Sequence, residues 1–182
     1  MKVAIAYASI EGQTQKIAQR IADTLRGADI DSLMINTREQ PDTPWPAGCD
    51  GLIAGGPLHR EHHPQELEQW LSAHREQWSH LPCAFFSVSL SASSDREQDR
   101  DDAWRVMHAF LDKLRMHPVE STILAGALKY SRYGFFMKRI MRNIVKRSGG
   151  KDLDMSHDYE YTDWHRVEQF ARTFAERIGQ GA

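Results

Sequence analysis

Short unbroken apolar runs alternate along the chain with longer stretches in which apolar residues recur every three or four positions. The runs Val3–Ala8, Gly51–Pro57, Cys83–Val88 and Thr122–Ala125, together with the mixed segment Ile30–Ile35, are too short for buried helices and read as strands. The periodic stretches read as helices. Ile17, Ile21, Ala22 and Leu25 place an apolar stripe on residues 14–26, which Gly27 ends. Leu67, Trp70 and Leu71 do the same for residues 64–78, and Trp104, Met107, Phe110, Leu111 and Leu114 for residues 99–114. A last helix opens at Thr162 or Asp163 as N-cap and runs to about Ile178, burying Val167, Phe170, Phe174 and Ile178. Pro41, Pro44, Pro46 and Gly48 keep the stretch between the second and third strands non-helical.

Strands alternating with helices, and apolar on both faces, give a parallel sheet covered on each side. Ligands of such sheets bind beyond the carboxyl ends of the strands. Neither repeats nor linkers divide the sequence, so one domain over residues 1–182 is expected.

The first crossover carries the clearest chemistry. Ser9, Ile10, Glu11, Gly12, Gln13 and Thr14 stand between the first strand and the first helix. Backbone N–H groups of such a turn and the helix dipole favour an anion. Ser9 and Thr14 can add hydroxyl donors, and Gly12 allows close backbone approach. Glu11 is expected to contribute backbone, because its carboxylate would repel a phosphate. Neither G-x-G-x-x-G nor G-x-x-x-x-G-K-[ST] occurs, and no lysine sits in the turn, which favours a terminal monophosphate over a triphosphate. On spacing alone, an ordinary strand-to-helix turn with a Ser/Thr cap answers equally well.

The pattern S-x-E-G-x-T after an N-terminal strand resembles the FMN-phosphate loop of the flavodoxin-like superfamily. Further segments share a family: Ala84–Leu90, Ala125–Tyr133, Ser148-Gly149-Gly150 and Tyr161-Thr162-Asp163-Trp164, in this order. Together they resemble the flavodoxin-type, quinone-dependent protoporphyrinogen IX dehydrogenases of bacteria, over nearly the whole chain. The resemblance implies an α/β fold, flavodoxin-like, with a five-stranded parallel sheet in the order 2-1-3-4-5 and helices on both faces. It implies FMN as cofactor, held by residues 9–14. Two further turns, at Pro57, Leu58 and His59 and at Ser87, Val88, Ser89 and Leu90, would flank the flavin ring. Those turns lack the aromatic side chains that stack on the ring in many flavodoxins, so weaker FMN retention is expected.

Composition sets limits. Hydrophobic content of 41% and charged content of 26% are ordinary for a globular protein. No run approaches a membrane span and no leader pattern precedes the first strand, so a cytoplasmic protein is expected, which the resemblance and the basic insertion after the fifth strand would make peripheral on the inner membrane. Cys49 and Cys83 are expected to be free thiols. His59, His62 and His63 have no second ligand group at metal spacing, so no metal is expected; His59 is a candidate for the flavin edge or substrate, and solvated surface is the default for the three.

The net charge of −2 conceals an asymmetry. Between the fifth strand and the last helix lie residues 126–161, far more than a simple connection requires. From Ser121 to Gly150 there is no acidic residue, while Lys129, Arg132, Lys138, Arg139, Arg142, Lys146 and Arg147 fall there. Phe136, Ile140 and Ile144, with Met137 and Met141, are spaced as a basic amphipathic helix over residues 134–147. Such an insertion suits an anionic membrane surface, or an acidic, flat, apolar ligand, or packing on the domain with its charges solvated. Nucleic acid is disfavoured, because the chain as a whole is not basic and no recognition motif occurs.

The family resemblance implies the first two roles: a substrate, protoporphyrinogen IX, bearing propionates, and menaquinone or ubiquinone as acceptor. Lys129, Arg132 and Arg139 are the candidates for the propionates, with Lys138 and Arg142 on the same basic stretch. No catalytic base is assigned, and a homo-oligomer is possible. Two other functions remain: a non-catalytic electron carrier of flavodoxin type, and a nicotinamide-dependent quinone reductase.

Overall fold

The computed structural model describes residues 1–59, 61–128, 154 and 156–180. Five parallel strands form the main sheet: β1 (Lys2–Tyr7), β2 (Asp31–Asn36), β3 (Gly51–Pro57), β4 (Cys83–Ser89) and β5 (Glu120–Ala125). Their order is β2-β1-β3-β4-β5, the order expected. Every pairing is parallel, with Ala4 opposite both Leu33 and Leu52 and with Pro57 opposite Val88.

Alternation along each strand distributes apolar residues to two cores. Val3, Ile5 and Tyr7 point to the side covered by α1 (Gln13–Arg26) and the C-terminal helix α5 (Trp164–Gly179), meeting Ile17, Ile21, Phe170 and Phe174. Ala4, Ala6, Leu52 and Phe85 point to the other side, where α2 (Gln65–Ala73) and α4 (Glu97–Leu114) bring Leu67, Trp70, Met107 and Phe110. The central strands β3 and β4 are buried throughout. Burial on both faces is the physical reason the central strands appear as near-continuous apolar runs, while the edge strand β2 is half exposed.

Three departures have local causes. The helix expected over residues 64–78 is two helices, α2 and α3 (Arg75–Trp78), separated at His74, whose backbone leaves the helical region (φ −107°, ψ 21°). The His74 Nδ1 lies 2.9 Å from the Trp70 carbonyl, and the Trp78 indole donates to the Leu71 carbonyl, so side chains serve carbonyls at the break. The helix expected from Asp99 starts earlier, at Glu97. Ile30 is buried but precedes β2, which begins at Asp31.

Beyond β5 the chain turns at Gly126 into a two-residue strand β6 (Ala127–Leu128), which pairs antiparallel with β7 (Tyr159–Glu160). Tyr161 N–H donates to the Gly126 carbonyl at 3.0 Å, closing this stem. The basic residues Lys129, Arg132, Lys138, Arg139 and Arg142, and the helix expected over residues 134–147, lie outside the described residues. Among the described residues, no helix is long and apolar enough to cross a membrane.

Candidate functional site

The three turns named from the sequence leave the carboxyl ends of β1, β3 and β4, which are neighbours in the sheet. Short bonds tie them together: Ala8 N–H to the Gly55 carbonyl at 3.2 Å, and Leu58 N–H to the Val88 carbonyl at 2.8 Å.

In the first turn Gly12 takes the left-handed conformation (φ 91°) and is the N-cap of α1. The Ser9 hydroxyl accepts from Gly12 N–H at 3.2 Å and from Gln15 N–H at 3.4 Å. Its own hydrogen is committed to no bond among the described residues. The N–H groups of Glu11, Gln13 and Thr14 likewise have no partner there, and the first turn of α1 carries no acidic side chain. Free amides, a spare hydroxyl hydrogen and the positive end of a helix dipole form a donor set for an anion. Ile10 is exposed at the tip, while Gln13 and Thr14 are buried.

In the second turn, His59 and His62 exchange both backbone hydrogen bonds at 3.0 Å. Between them Glu61 is left-handed (φ 64°). His59 and His62 are exposed. His63 is not: its ring sits beneath the turn, edge-on to Phe85 with centroids 5.3 Å apart and 4.7 Å from Phe110. The expectation of solvated surface therefore fails for His63, because its ring packs between Phe85 and Phe110 and is buried. Burial pushes its pKa down to about 4, against the opposing pull of the Pro57 and Gly56 carbonyls. Neither ring nitrogen makes a hydrogen bond of good geometry, so the imidazole is neutral. Among the described residues no group of His, Cys, Asp or Glu is arranged to hold a metal.

The third turn continues β4 as a short 3₁₀ helix, Leu90–Ser93, with the Ser89 hydroxyl accepting from Ser91 N–H at 3.1 Å. Ser87 and Ser89 are buried and Leu90 is half-buried. Besides the His63 nitrogens, three buried polar atoms near the carboxyl edge have no partner among the described residues: Gln13 Oε1, Asn36 Nδ2 and the Ser87 hydroxyl. Orphans of this kind are uncommon away from ligand sites.

Sequence reasoning missed one link. The Gln13 amide donates to the Thr162 hydroxyl at 2.9 Å, and that hydroxyl donates to the Ala125 carbonyl at 2.8 Å. Alongside, Lys16 pairs with Glu160 at 3.1 Å, and Glu160 also accepts from the Trp164 indole at 3.1 Å. Partial burial works to raise the Glu160 carboxyl, but the Lys16 ammonium, with Gln13 and Trp164, holds it below its usual range. The N-cap of α5 is Asp163, which accepts from His165 and Arg166 N–H. Thr162, the other candidate cap, is thereby released for its bond to Gln13.

A grouping of Asp154, Ser156 and His157 has the residue types of a hydrolytic triad but not the geometry. Both the Asp154 carboxylate (3.0 Å) and the Ser156 hydroxyl (2.7 Å) approach the same nitrogen, Nδ1. A proton relay needs them on opposite nitrogens; this is an exposed polar turn.

A parallel sheet in this order, with a donor-lined first crossover and two further turns at the same edge, defines a flavodoxin-like α/β protein. The Flavodoxin domain family model matches residues 4–154, and the chain belongs to that family. It is 29% identical over 175 residues to a protoporphyrinogen IX dehydrogenase [quinone] of Escherichia coli K12, covering 96% of this chain and 95% of that protein. It is 30% identical over 178 residues to a protein of the same name from Leishmania major, covering 96% and 74%. These relatives carry the name of the family whose motifs the sequence shares. The oxidised flavodoxin 1 of Bacillus cereus superposes with a TM-score of 0.60 at 16% identity, over 97% of this chain and 98% of the other. Family membership supports a flavin cofactor, and the donor set of the first turn fits such a group's phosphate.

Proposed function

We propose that the protein is an FMN-dependent dehydrogenase that oxidises protoporphyrinogen IX to protoporphyrin IX and delivers the electrons to a membrane quinone, menaquinone or ubiquinone, in haem biosynthesis. The names of the two relatives, each matched over 96% of this chain, support the reaction. The observation that carries the cofactor is the first turn, with free N–H groups at Glu11, Gln13 and Thr14 around a left-handed Gly12.

In this reading Ser9, Ile10, Glu11, Gly12, Gln13 and Thr14 hold the ribityl phosphate through backbone N–H groups and the Ser9 hydroxyl. Pro57, Leu58 and His59 on one side and Ser87, Val88, Ser89 and Leu90 on the other border the ring. FMN, when bound, would accept two electrons and hydrogen from the macrocycle in each cycle and release them to one quinone, so the six-electron oxidation to the porphyrin takes three such cycles. The paired His59–His62 backbone and the Leu58–Val88 bond keep the ring turns rigid, which limits reorganisation during the reaction. Half-buried Leu58 and Leu90 give the ring apolar rather than aromatic neighbours. The basic residues Lys129, Arg132, Lys138, Arg139 and Arg142 would meet the propionates or the anionic face of the inner membrane, where the protein is peripheral.

The test has two stages. FMN is offered in calorimetry to wild type and to Gly12→Ala, in which a Cβ at φ 91° costs roughly 1–2 kcal/mol. Saturable binding to wild type, weaker than aromatic stacking on the ring would give, and about tenfold weaker binding still to the variant are expected. The loaded protein then receives protoporphyrinogen and a quinone, and porphyrin fluorescence is followed above autoxidation. Absence of acceleration would leave an electron carrier, and reduction by a nicotinamide would point to a quinone reductase instead.

A further inference from the structure

Thr162 lies outside all three turns and 149 positions along the chain from Gln13, the residue whose side chain it meets. Its hydroxyl is used in both senses: it accepts from Gln13 Nε2 and donates to the Ala125 carbonyl. Because its single hydrogen goes to that carbonyl, only a donor can approach from Gln13, which fixes the orientation of the amide. Gln13 and Thr162 are both buried, so no water competes for either partner. Gln13 is also the first residue of α1, and its N–H is one of the free donors of the phosphate turn. The carbonyl at the far end of the relay, Ala125, is the last residue of β5, one step before the Gly126–Tyr161 bond that closes the stem. Lys16, one turn along α1, makes a parallel tie to Glu160 of the same stem.

We propose that Thr162 is a positioning residue for the phosphate turn: acting through the Gln13 amide, it fixes the first turn of α1 and couples that turn to the β6–β7 stem at the root of the insertion. The inference rests on the reading of residues 9–14 as the flavin-phosphate turn. A helix start whose first side chain is clamped from behind presents its N–H groups in one direction only, which lowers the ordering cost of binding. The linkage is reciprocal: whatever the stem contributes to phosphate affinity, phosphate binding returns to the stem.

The test compares FMN with riboflavin, which lacks the phosphate, on the full chain. Wild type is expected to prefer FMN. Thr162→Val should reduce FMN affinity about tenfold, the scale of one buried hydrogen bond, and leave riboflavin affinity within about twofold. Thr162→Ser, which keeps the hydroxyl, should restore the preference. In the double variant with Gln13→Leu, the Thr162→Val loss should vanish, because the two act as one unit. Equal losses for both ligands, an unchanged FMN preference, or additive losses in the double variant would each overturn the proposal. Hydrogen exchange on the wild-type protein needs no variant to fold: FMN, but not riboflavin, should slow exchange of the Tyr161 amide, and an unchanged rate would overturn the coupling. If wild type itself does not distinguish FMN from riboflavin, the phosphate-turn reading fails and takes this inference with it. A preserved preference that ignores Thr162 defeats the inference alone.

Discussion

The imidazole of His63 lies against Phe85 and Phe110 with both nitrogens cut off from water, and that placement has a thermodynamic signature. In the unfolded chain the group takes a proton near pH 6.5; in the fold it does so only near 4. Between these values the unfolded state binds a proton that the folded state refuses, so stability falls as pH drops through the window and the loss levels off near its lower end. Above about 6.5 the residue is neutral in both states and contributes no slope. The full difference is about 3 kcal/mol. Denaturant unfolding of wild type and His63→Phe between pH 4.5 and 7.5 should show a steeper loss for wild type towards acid; identical slopes would mean that the ring is open to water. The thiols make a second prediction. Burial pushes Cys83 up to about 12, with its Sγ donating to the Leu81 carbonyl at 3.2 Å, and Cys49, half-buried, is also raised. The thiolate is the reactive form, so alkylation near pH 8 should label Cys49 slowly and Cys83 only after unfolding, as read by mass spectrometry.

Elements of strong period were legible in the sequence, and those fixed by distant contacts were not. The central strands announce themselves because strands buried on both faces need near-continuous apolar runs. The edge strand β2 is a mixed segment with Leu33 exposed, and the order was implied by the resemblance that the phosphate turn carries. The His74 break was hidden, since Leu67, Trp70, Leu71 and Trp78 keep a helical spacing across it while the side chains of His74 and Trp78 reach the carbonyls of Trp70 and Leu71 at the break. Two-residue strands such as β6 and β7 have no period to detect, and the Gln13–Thr162 bond spans 149 positions. The burial of His63 was equally invisible, because nothing in a run of histidines says which one meets Phe110. Gly55 shows how finely β3 is fitted: a Cβ there would stand 2.3 Å from the Phe86 ring, which packs against Phe170. Gly55→Ala should cost about 1–3 kcal/mol through overpacking, seen as a lowered unfolding midpoint. A midpoint unchanged from wild type would show that Phe86 has room to swing away.

For the whole molecule the decisive quantity is where charge lies rather than how much there is. The net −2 divides into +7 for residues 121–150 and −9 for the remainder. An acidic body is repelled by an anionic bilayer, and a cationic segment is drawn to it, at about 1 kcal/mol per basic residue near the surface. The two act over the Debye length, about 8 Å at physiological salt, so only residues at the surface count and the segment can outweigh the body if it alone makes contact. Lys138, Arg139, Arg142 and Lys146 changed together to Gln remove four positive charges without altering the apolar positions Phe136, Ile140 and Ile144. Partitioning onto vesicles containing phosphatidylserine should then fall by two to three orders of magnitude, given ~1 kcal/mol per charge. Wild-type binding should weaken as salt rises, and neutral vesicles should bind both proteins alike. FMN affinity should not change, because residues 9–14 and the turns after β3 and β4 are untouched. Vesicle binding that survives the substitutions, or that never occurs in wild type, would remove the membrane from the proposal and leave the basic segment to the propionates of the substrate.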